Sequence, residues 1–273
     1  MQNRTILSIA NSKGGVGKTT TALNLGAALN ALGKRVLLID NDPQGNLTAA
    51  LGYTPGEQKQ TLANLLLSAI DYPEELEYRF EKALIHSEIG VDLIPANRRL
   101  SDAAARLQIM QMSQYGGDER MCENMMKQVL DSISTEYDYM IIDCGLKHEL
   151  LTVNALTAAD YCIIPVQSQY LASEGIPDVL DMIRTVQKRF NPALQIGGIL
   201  LTMYQAQPRL CRSVRENVDE LYGESIRVFQ RPIAYSVRVA ECPAAGVSIL
   251  DYEPNSPAAI SYRSLAEEVL QLG

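Results

Sequence analysis

Short apolar runs rich in β-branched residues alternate along this chain with longer stretches whose apolar positions recur every three or four residues. The runs at 6–10, 35–40, 91–94, 139–143, 160–166 and 196–202 predict strands. The run at 35–40, RVLLID, is apolar throughout its middle, as a strand covered on both faces should be. The stretches at 19–32, 61–69, 74–83, 100–112, 119–134, 176–189, 212–222 and 258–270 predict helices. In the first, Leu25, Ala28, Leu29 and Leu32 fall on one face, and Gly33 supplies the stop. In the fifth, Cys122, Met125, Met126 and Val129 share a side, and the span 231–246 reads as looser structure. Strand–helix alternation of this kind predicts an α/β fold. The expectation is a mostly parallel, twisted sheet with helices on both faces, forming one domain over residues 1–273.

Composition narrows the class. A chain of 273 residues with 47% hydrophobic and 21% charged positions builds its own core, which excludes disordered, collagenous and coiled-coil architectures. The formal charge of −8 allows nucleic-acid binding only through a local basic face. Five scattered cysteines (Cys122, Cys144, Cys162, Cys211, Cys242) form no C-x-x-C pair, which predicts reduced, buried thiols rather than a zinc site or disulfides. No run of 18 apolar residues predicts a membrane span, and the first residues, MQNRTILSIANSKGG, lack a secretory core. A cytoplasmic location is the expectation.

The candidate chemistry lies in Asn11-Ser12-Lys13-Gly14-Gly15-Val16-Gly17-Lys18-Thr19-Thr20, between the first predicted strand and the first predicted helix. Glycines there let successive backbone N–H groups turn toward one anion, and the helix start adds its positive dipole end. Lys18 is placed to reach β- and γ-phosphates, and the Thr19 hydroxyl to ligate Mg²⁺. The pattern G-x-x-x-x-G-K-[ST] fails by one position: Ser12 stands where its first glycine belongs, beside a second lysine, Lys13. G-x-G-x-x-G is not met, which disfavours a dinucleotide fold. Asp143 ends an apolar strand, as a residue holding Mg²⁺ through water should. Asp40 and Asp42 sit at the mouth of the second strand, where one of them is placed to orient an attacking water.

These residues together resemble the ParA/Soj/MinD family of P-loop ATPases with a deviant phosphate loop. The family pattern KGGxGKTT is Lys13 to Thr20, and LLIDxDPQGN is Leu37 to Asn46. YDYMIIDC, LTVNALTAAD, LLTMY and SVRVAECPAAGVSILDYEPNSPAA extend the likeness across residues 4–270, closest to the chromosome and plasmid partition branch. The resemblance implies an ATP-driven homodimer in which Lys13 crosses to the partner copy's phosphates. Gly14, Gly15, Val16, Gly17, Lys18 and Thr20 would cradle the nucleotide. Thr19 and Asp143 would hold Mg²⁺, with Asp40 beside the metal shell. Asp42 would position the hydrolytic water, and Thr202 and Pro232 would lie near adenine. It also implies non-specific binding of double-stranded DNA, a ParB-like stimulatory partner and association with the nucleoid.

The second switch loop departs from the family. Where D-C-P-P-S-L-G is usual, this chain has Asp143-Cys144-Gly145-Leu146-Lys147-His148-Glu149. That change bears on hydrolysis, not on nucleotide binding, and leaves open a weakly hydrolysing scaffold that positions a protein cargo or modulates transcription. Ile233-Ala234 replaces the usual Ile-Pro. Within 205–240, Arg209, Arg212, Arg215, Arg227, Arg231 and Arg238 face four carboxylates, a net +2 that leaves −10 on the remainder. Arg209, Arg212, Arg215 and Arg238 are the candidate DNA contacts, the first three spaced along one helix side. The last helix carries too little positive charge for a membrane-binding tail, and Cys144 has no partner cysteine for an iron–sulfur cluster.

Overall fold

The computed structural model describes residues 4–113, 122–133, 137–146, 148–168, 175–205 and 210–272, with 113 and 210–213 in backbone only. The chain runs β1 (Thr5–Ile9), α1 (Lys18–Ala31), β2 (Val36–Asn41), α2 (Asn46–Ala50), α3 (Leu62–Asp71), α4 (Leu76–Ala83), β3 (Ile85–His86), β4 (Asp92–Ile94) and α5 (Arg99–Ser113). It continues α6 (Met125–Asp131), β5 (Tyr139–Cys144), α7 (Glu149–Ala158), β6 (Tyr161–Gln167), α8 (Ile176–Arg189), β7 (Gln195–Thr202), α9 (Leu210–Tyr222), α10 (Val237–Ala245), α11 (Ile249–Tyr252) and α12 (Pro257–Val269).

The sheet order is β3-β4-β2-β5-β1-β6-β7. Every neighbouring pair is parallel except β3–β4, a two-residue antiparallel edge that the sequence reading did not predict. β1 lies where the order turns, with β5 on one side and β6 on the other, so the loop after β1 opens into the crevice beyond the strand ends. Alternate strand residues feed two cores. Leu37, Ile39, Met140, Ile142 and Ile164 point to one face, Leu7, Ile9, Leu38, Ile141 and Ile163 to the other. That alternation on a doubly covered sheet explains the unbroken apolar runs.

Helix α1 corrects the expectation of a single apolar face. It is buried on nearly every side because it lies between the sheet and α2, α11 and α12, whereas Leu32, assigned to the face, is 45% exposed. Gly33 does end the helix, in the left-handed region at φ 78°. Its N–H donates to Asn30 O and the Lys34 N–H to Leu29 O, a Schellman ending.

α7 also escaped periodicity, since seven of its ten residues are buried. Asn154 on α7 receives the Met126 N–H at 3.1 Å and donates to Cys122 O at 2.8 Å, which ties α7 to the start of α6. Part of the predicted helix at 119–134 lies outside the described residues; within them, a 3₁₀ turn at Cys122–Asn124 leads into α6. The looser span at 231–246 contains α10, with Pro243 inside it. Cys122, Cys144, Cys162 and Cys242 are buried free thiols, and Cys211 falls outside the described side chains. No helix among the described residues is long and apolar enough to cross a membrane.

α1 comes close to the sheet at Gly26, where a Cβ would lie 2.7 Å from Leu38 Cδ2. Gly26→Val should therefore lower the unfolding free energy in urea by about 1–3 kcal/mol with nucleotide-loop residues untouched. An unchanged denaturation midpoint would contradict this packing.

Candidate functional site

The loop between β1 and α1 is shaped by its own glycines. Gly15 and Gly17 sit in the left-handed region, at φ 72° and 88°. Gly17 is the N-cap of α1 and offers no side chain to the first turn, so those N–H groups remain available to an anion. Val16 is buried and pins the loop. Its carbonyl accepts the Thr202 hydroxyl at 2.9 Å, which also lies 3.2 Å from Val166 O. Thr202 is thus the tie between β6, β7 and the loop. Asn11 is buried too, donating to Pro165 O at 2.7 Å and accepting the Lys13 N–H at 2.9 Å.

Lys18 folds back beneath the loop. Its Nζ donates to Lys13 O at 2.9 Å and to Asn11 O at 3.1 Å. Burial lowers its pKa, and the nearby charges of Asp143 and Asp42 oppose that shift. An ammonium whose partners among the described residues are two carbonyls is ready to exchange them for phosphate oxygens.

The acids arrive on two adjacent strands. Asp40 on β2 and Asp143 on β5 are register partners, both fully buried. Asp40 accepts the Thr48 N–H at 2.8 Å, the Thr48 hydroxyl at 2.7 Å and the Asp42 N–H at 3.1 Å, so it anchors the turn that carries Asp42. Burial, reinforced by the Asp42 charge, raises its pKa to about 6. Asp143 differs: neither of its oxygens has a hydrogen-bond partner among the described residues. Burial and then the Asp40 charge push it well above the ordinary carboxylate range, with the Thr19 hydroxyl and Lys18 pulling the other way. Asp42 accepts the Gln44 N–H at 3.0 Å and the Asn46 amide at 3.1 Å. A cavity of about 260 Å³ brings Lys18, Thr19, Asp42 and Asn46 together with Gly145 and Leu146.

A divalent cation fits this arrangement. Hard cations take oxygen ligands, and the orphaned Asp143 carboxylate beside the Thr19 hydroxyl is such a donor set. Asp40, engaged with Thr48, backs that set electrostatically.

Beside the phosphate loop lies an apolar cavity of about 230 Å³, lined by Gly17, Thr20, Thr202, Met203, Ile233, Tyr235, Val239 and Tyr262 among others. Pro232 does not line it; the residues immediately after it do. The Ile233 N–H donates to Leu201 O, and the Tyr204 N–H to Ile233 O, so the segment continues along the end of β7. Met203, the one non-glycine residue with positive φ among those described, escaped the sequence reading, as did Ile233, Tyr235 and Val239.

The altered loop after β5 closes against the site. Gly145 lies so near Asp42 that a Cβ would stand 3.1 Å from its carboxyl carbon. Leu146 Cδ1 would meet a Cβ on Gly14 at the same distance. His148 does not reach the cavity: its Nε2 pairs with Ser101 Oγ at 3.2 Å, and Glu149 opens α7. Lys147 lies outside the described residues.

Of the candidate DNA contacts, Arg209 and the Arg212 side chain lie outside the described residues. Arg215 is engaged by Asp219 and by Gln230 O, and Arg238 by Glu241. Arg231 and Arg263, with Glu267, line a separate groove of about 630 Å³ between α12 and the segment that runs beside β7.

Because the Asp143 pKa is raised in the folded chain, its contribution to stability is present below the unfolded value of 3.8 and lost as pH rises through the folded value. Ligand-free Asp143→Asn should therefore melt above the unsubstituted protein at neutral pH, and the gap should close toward pH 4. Magnesium with nucleotide should reverse the order. A variant that melts lower at neutral pH without ligand would contradict the unpartnered carboxylate.

Known proteins share this architecture. A family model described as an AAA domain matches residues 4–196. The sporulation initiation inhibitor protein Soj of Bacillus subtilis is 40% identical over 268 residues, covering 98% of this chain and 99% of Soj. The chromosome partitioning protein ParA of Caulobacter vibrioides is 37% identical over 268 residues, covering 97% and 93%. Among solved structures, cobyrinic acid a,c-diamide synthase from Mycobacterium smegmatis, with bound ATP analogue and magnesium, superposes with a TM-score of 0.79 at 34% identity, covering 98% and 95%. With the two-lysine loop Lys13–Thr20 set at the end of β1 and near full-length identity to these relatives, the chain belongs to the ParA/Soj/MinD family of P-loop ATPases.

Proposed function

We propose that this protein is a DNA partition ATPase that dimerises on ATP, binds DNA without sequence preference and lets go after hydrolysis stimulated by a ParB-like partner. The observation that carries the reading is one loop holding Lys13 and Lys18 above the buried Asp40–Asp143 pair, in a chain similar along its length to Soj and ParA. ATP and Mg²⁺ are the ligands this loop and the unpartnered Asp143 suit, and the Mycobacterium neighbour binds an ATP analogue with magnesium. The metal, when bound by Asp143 and Thr19, supplies charge neutralisation at the β- and γ-oxygens.

The chain's own groups do the rest. Backbone N–H groups of Gly14–Thr19 and the start of α1 bind the phosphates. Lys18 trades its two carbonyl partners for phosphate oxygens. Asp42 orients water, fixed by Gln44 and Asn46. Lys13 adds positive charge in trans, as an arginine finger does, which makes dimerisation and nucleotide state one equilibrium. The base lies in the apolar cavity beside Thr202, Met203 and Ile233. Under this reading the protein sits on the nucleoid, held by arginines of the 209–238 region, Arg231 among them, and by Arg263 on the neighbouring groove.

A second reading is a slow-turnover scaffold for a protein cargo or for transcription. Its support is the altered loop, with Gly145 against Asp42 and Leu146 against Gly14. Turnover measured with DNA and partner separates the two: several-fold stimulation supports partition, and none supports the scaffold.

Lys18→Ala should abolish ATP binding in calorimetry, and retained affinity would overturn the site. Lys13→Ala should leave a nucleotide-binding monomer. In a gel shift on random DNA, retention with ATP or a slowly hydrolysed analogue, but not with ADP or no nucleotide, is the expected result. Equal retention in all four conditions would contradict the cycle. Arg209, Arg212 and Arg215 changed together to Glu should remove retention with ATPase intact.

A further inference from the structure

The direction in which Lys13 leaves the phosphate loop is set by residues that do not touch the phosphate cavity. Asn11, buried at 5% exposure, makes an Asx-type turn: its Oδ1 accepts the Lys13 N–H at 2.9 Å, two residues on. Its Nδ2 is anchored on Pro165 O of β6 at 2.7 Å, so the turn is fastened to the sheet. From the other side the start of α8 presses against the same three residues. Gly175, the N-cap of α8, has φ 96°, and a Cβ there would lie 2.8 Å from Asn11 Oδ1, 3.3 Å from Ser12 Oγ and 3.4 Å from Lys13 Cβ. The Ser12 hydroxyl, which stands in place of a glycine, lies 3.3 Å from both Gly175 O and Asp178 Oδ2.

We infer that Asn11 and Gly175 are positioning residues for Lys13. Together they form a seat, built from β6 and the first turn of α8, that aims this lysine at the partner copy's triphosphate. Lys18 depends on the seat far less. It meets the seat only through the main-chain carbonyls of Asn11 and Lys13, which no side-chain change removes. The seat therefore acts on the interaction made in trans and leaves nucleotide capture within one copy intact. A side chain added at position 175 strikes the acceptor of the Lys13 N–H, and loss of the Asn11 amide frees the same N–H from the sheet. This inference rests on the reading of Lys13 as the lysine donated between copies.

The test compares Asn11→Ala, Asn11→Ser and Gly175→Ala with Lys13→Ala, each first checked for folding by circular dichroism. Two quantities are read: ATP affinity by calorimetry, and ATP-dependent dimerisation by sedimentation velocity. Asn11→Ala and Gly175→Ala should weaken dimerisation by about tenfold or more, as misplacement of a reacting group by an ångström does, with ATP affinity held within about threefold. Asn11→Ser keeps a short acceptor for the Lys13 N–H and should fall between Asn11→Ala and the unsubstituted protein, an ordering that general destabilisation would not produce. If Gly175→Ala unwinds α8, the Asn11 pair carries the test alone. Asn11→Ala and Gly175→Ala proteins that dimerise normally, while Lys13→Ala does not, would overturn the seat. A Lys13→Ala protein that still dimerises with ATP would instead overturn the partition reading beneath it.

Discussion

Two carboxylates stand side by side at the ends of β2 and β5, sealed from solvent under a loop that carries a buried ammonium. Burial disfavours the charged form of all three groups, raising Asp40 and Asp143 and lowering Lys18. Such an arrangement is unfavourable for the empty fold and favourable once a cation and an anion enter together. Asp40 is offset locally by Thr48 and by the Asp42 N–H. Asp143 accepts no hydrogen bond among the described residues, and only the nearby Thr19 hydroxyl and the Lys18 charge oppose its shift. That asymmetry separates them: Asp40 builds the turn that holds Asp42, whereas Asp143 is the oxygen donor that suits a cation.

The sheet makes this concentration of charge tolerable. Parallel strands end at one edge, so residues far apart in sequence converge without any local signal. Helix α1 directs its N-terminus at the same point and is itself enclosed on nearly all sides, which fixes the loop's exit. Three long-range ties complete it. Thr202 holds Val16, Asn11 holds Pro165, and the α8 cap abuts Asn11. Each joins the loop to β6, β7 or α8, the part of the sheet beyond the turn in strand order.

The phosphate loop, the strand-end acids and six of the seven strands were legible because each is written locally, as a spacing or an apolar run. What escaped had no local signature. β3 is two residues long, and α7 is buried so fully that ELLTVNALTA shows no amphipathic period. α10 was hidden by Pro243 and by its exposed residues. Asp40 reads as one more acid near a metal until Thr48 is seen to occupy it. Thr202 lines the apolar cavity, and its second part, tying Val16 186 positions away, has no signal in the sequence. Pro232 itself does not line the apolar cavity while Ile233 and Ala234 do, because that lining depends on how the segment pairs with the end of β7. The DNA arginines illustrate the opposite case. Spacing in sequence suggested a cationic row, whereas Arg215 and Arg238 are held by neighbouring carboxylates.

The loop after β5 sets this chain apart from the family pattern, since Gly145 and Leu146 close on Asp42 and Gly14 where prolines are usual. Under the proposed function its effect is on the rate of the chemical step, while the buried carboxylates govern whether the nucleotide is held. The direct measurement of that governing role is proton release on binding. Near pH 6, with both buried carboxyls raised above the ordinary carboxylate range, calorimetric titration with Mg²⁺ and ADP in buffers of different ionisation enthalpy should show net proton release, and chelating the metal should abolish it. Binding with no change in bound protons, and with the same affinity in the presence of chelator, would contradict the account.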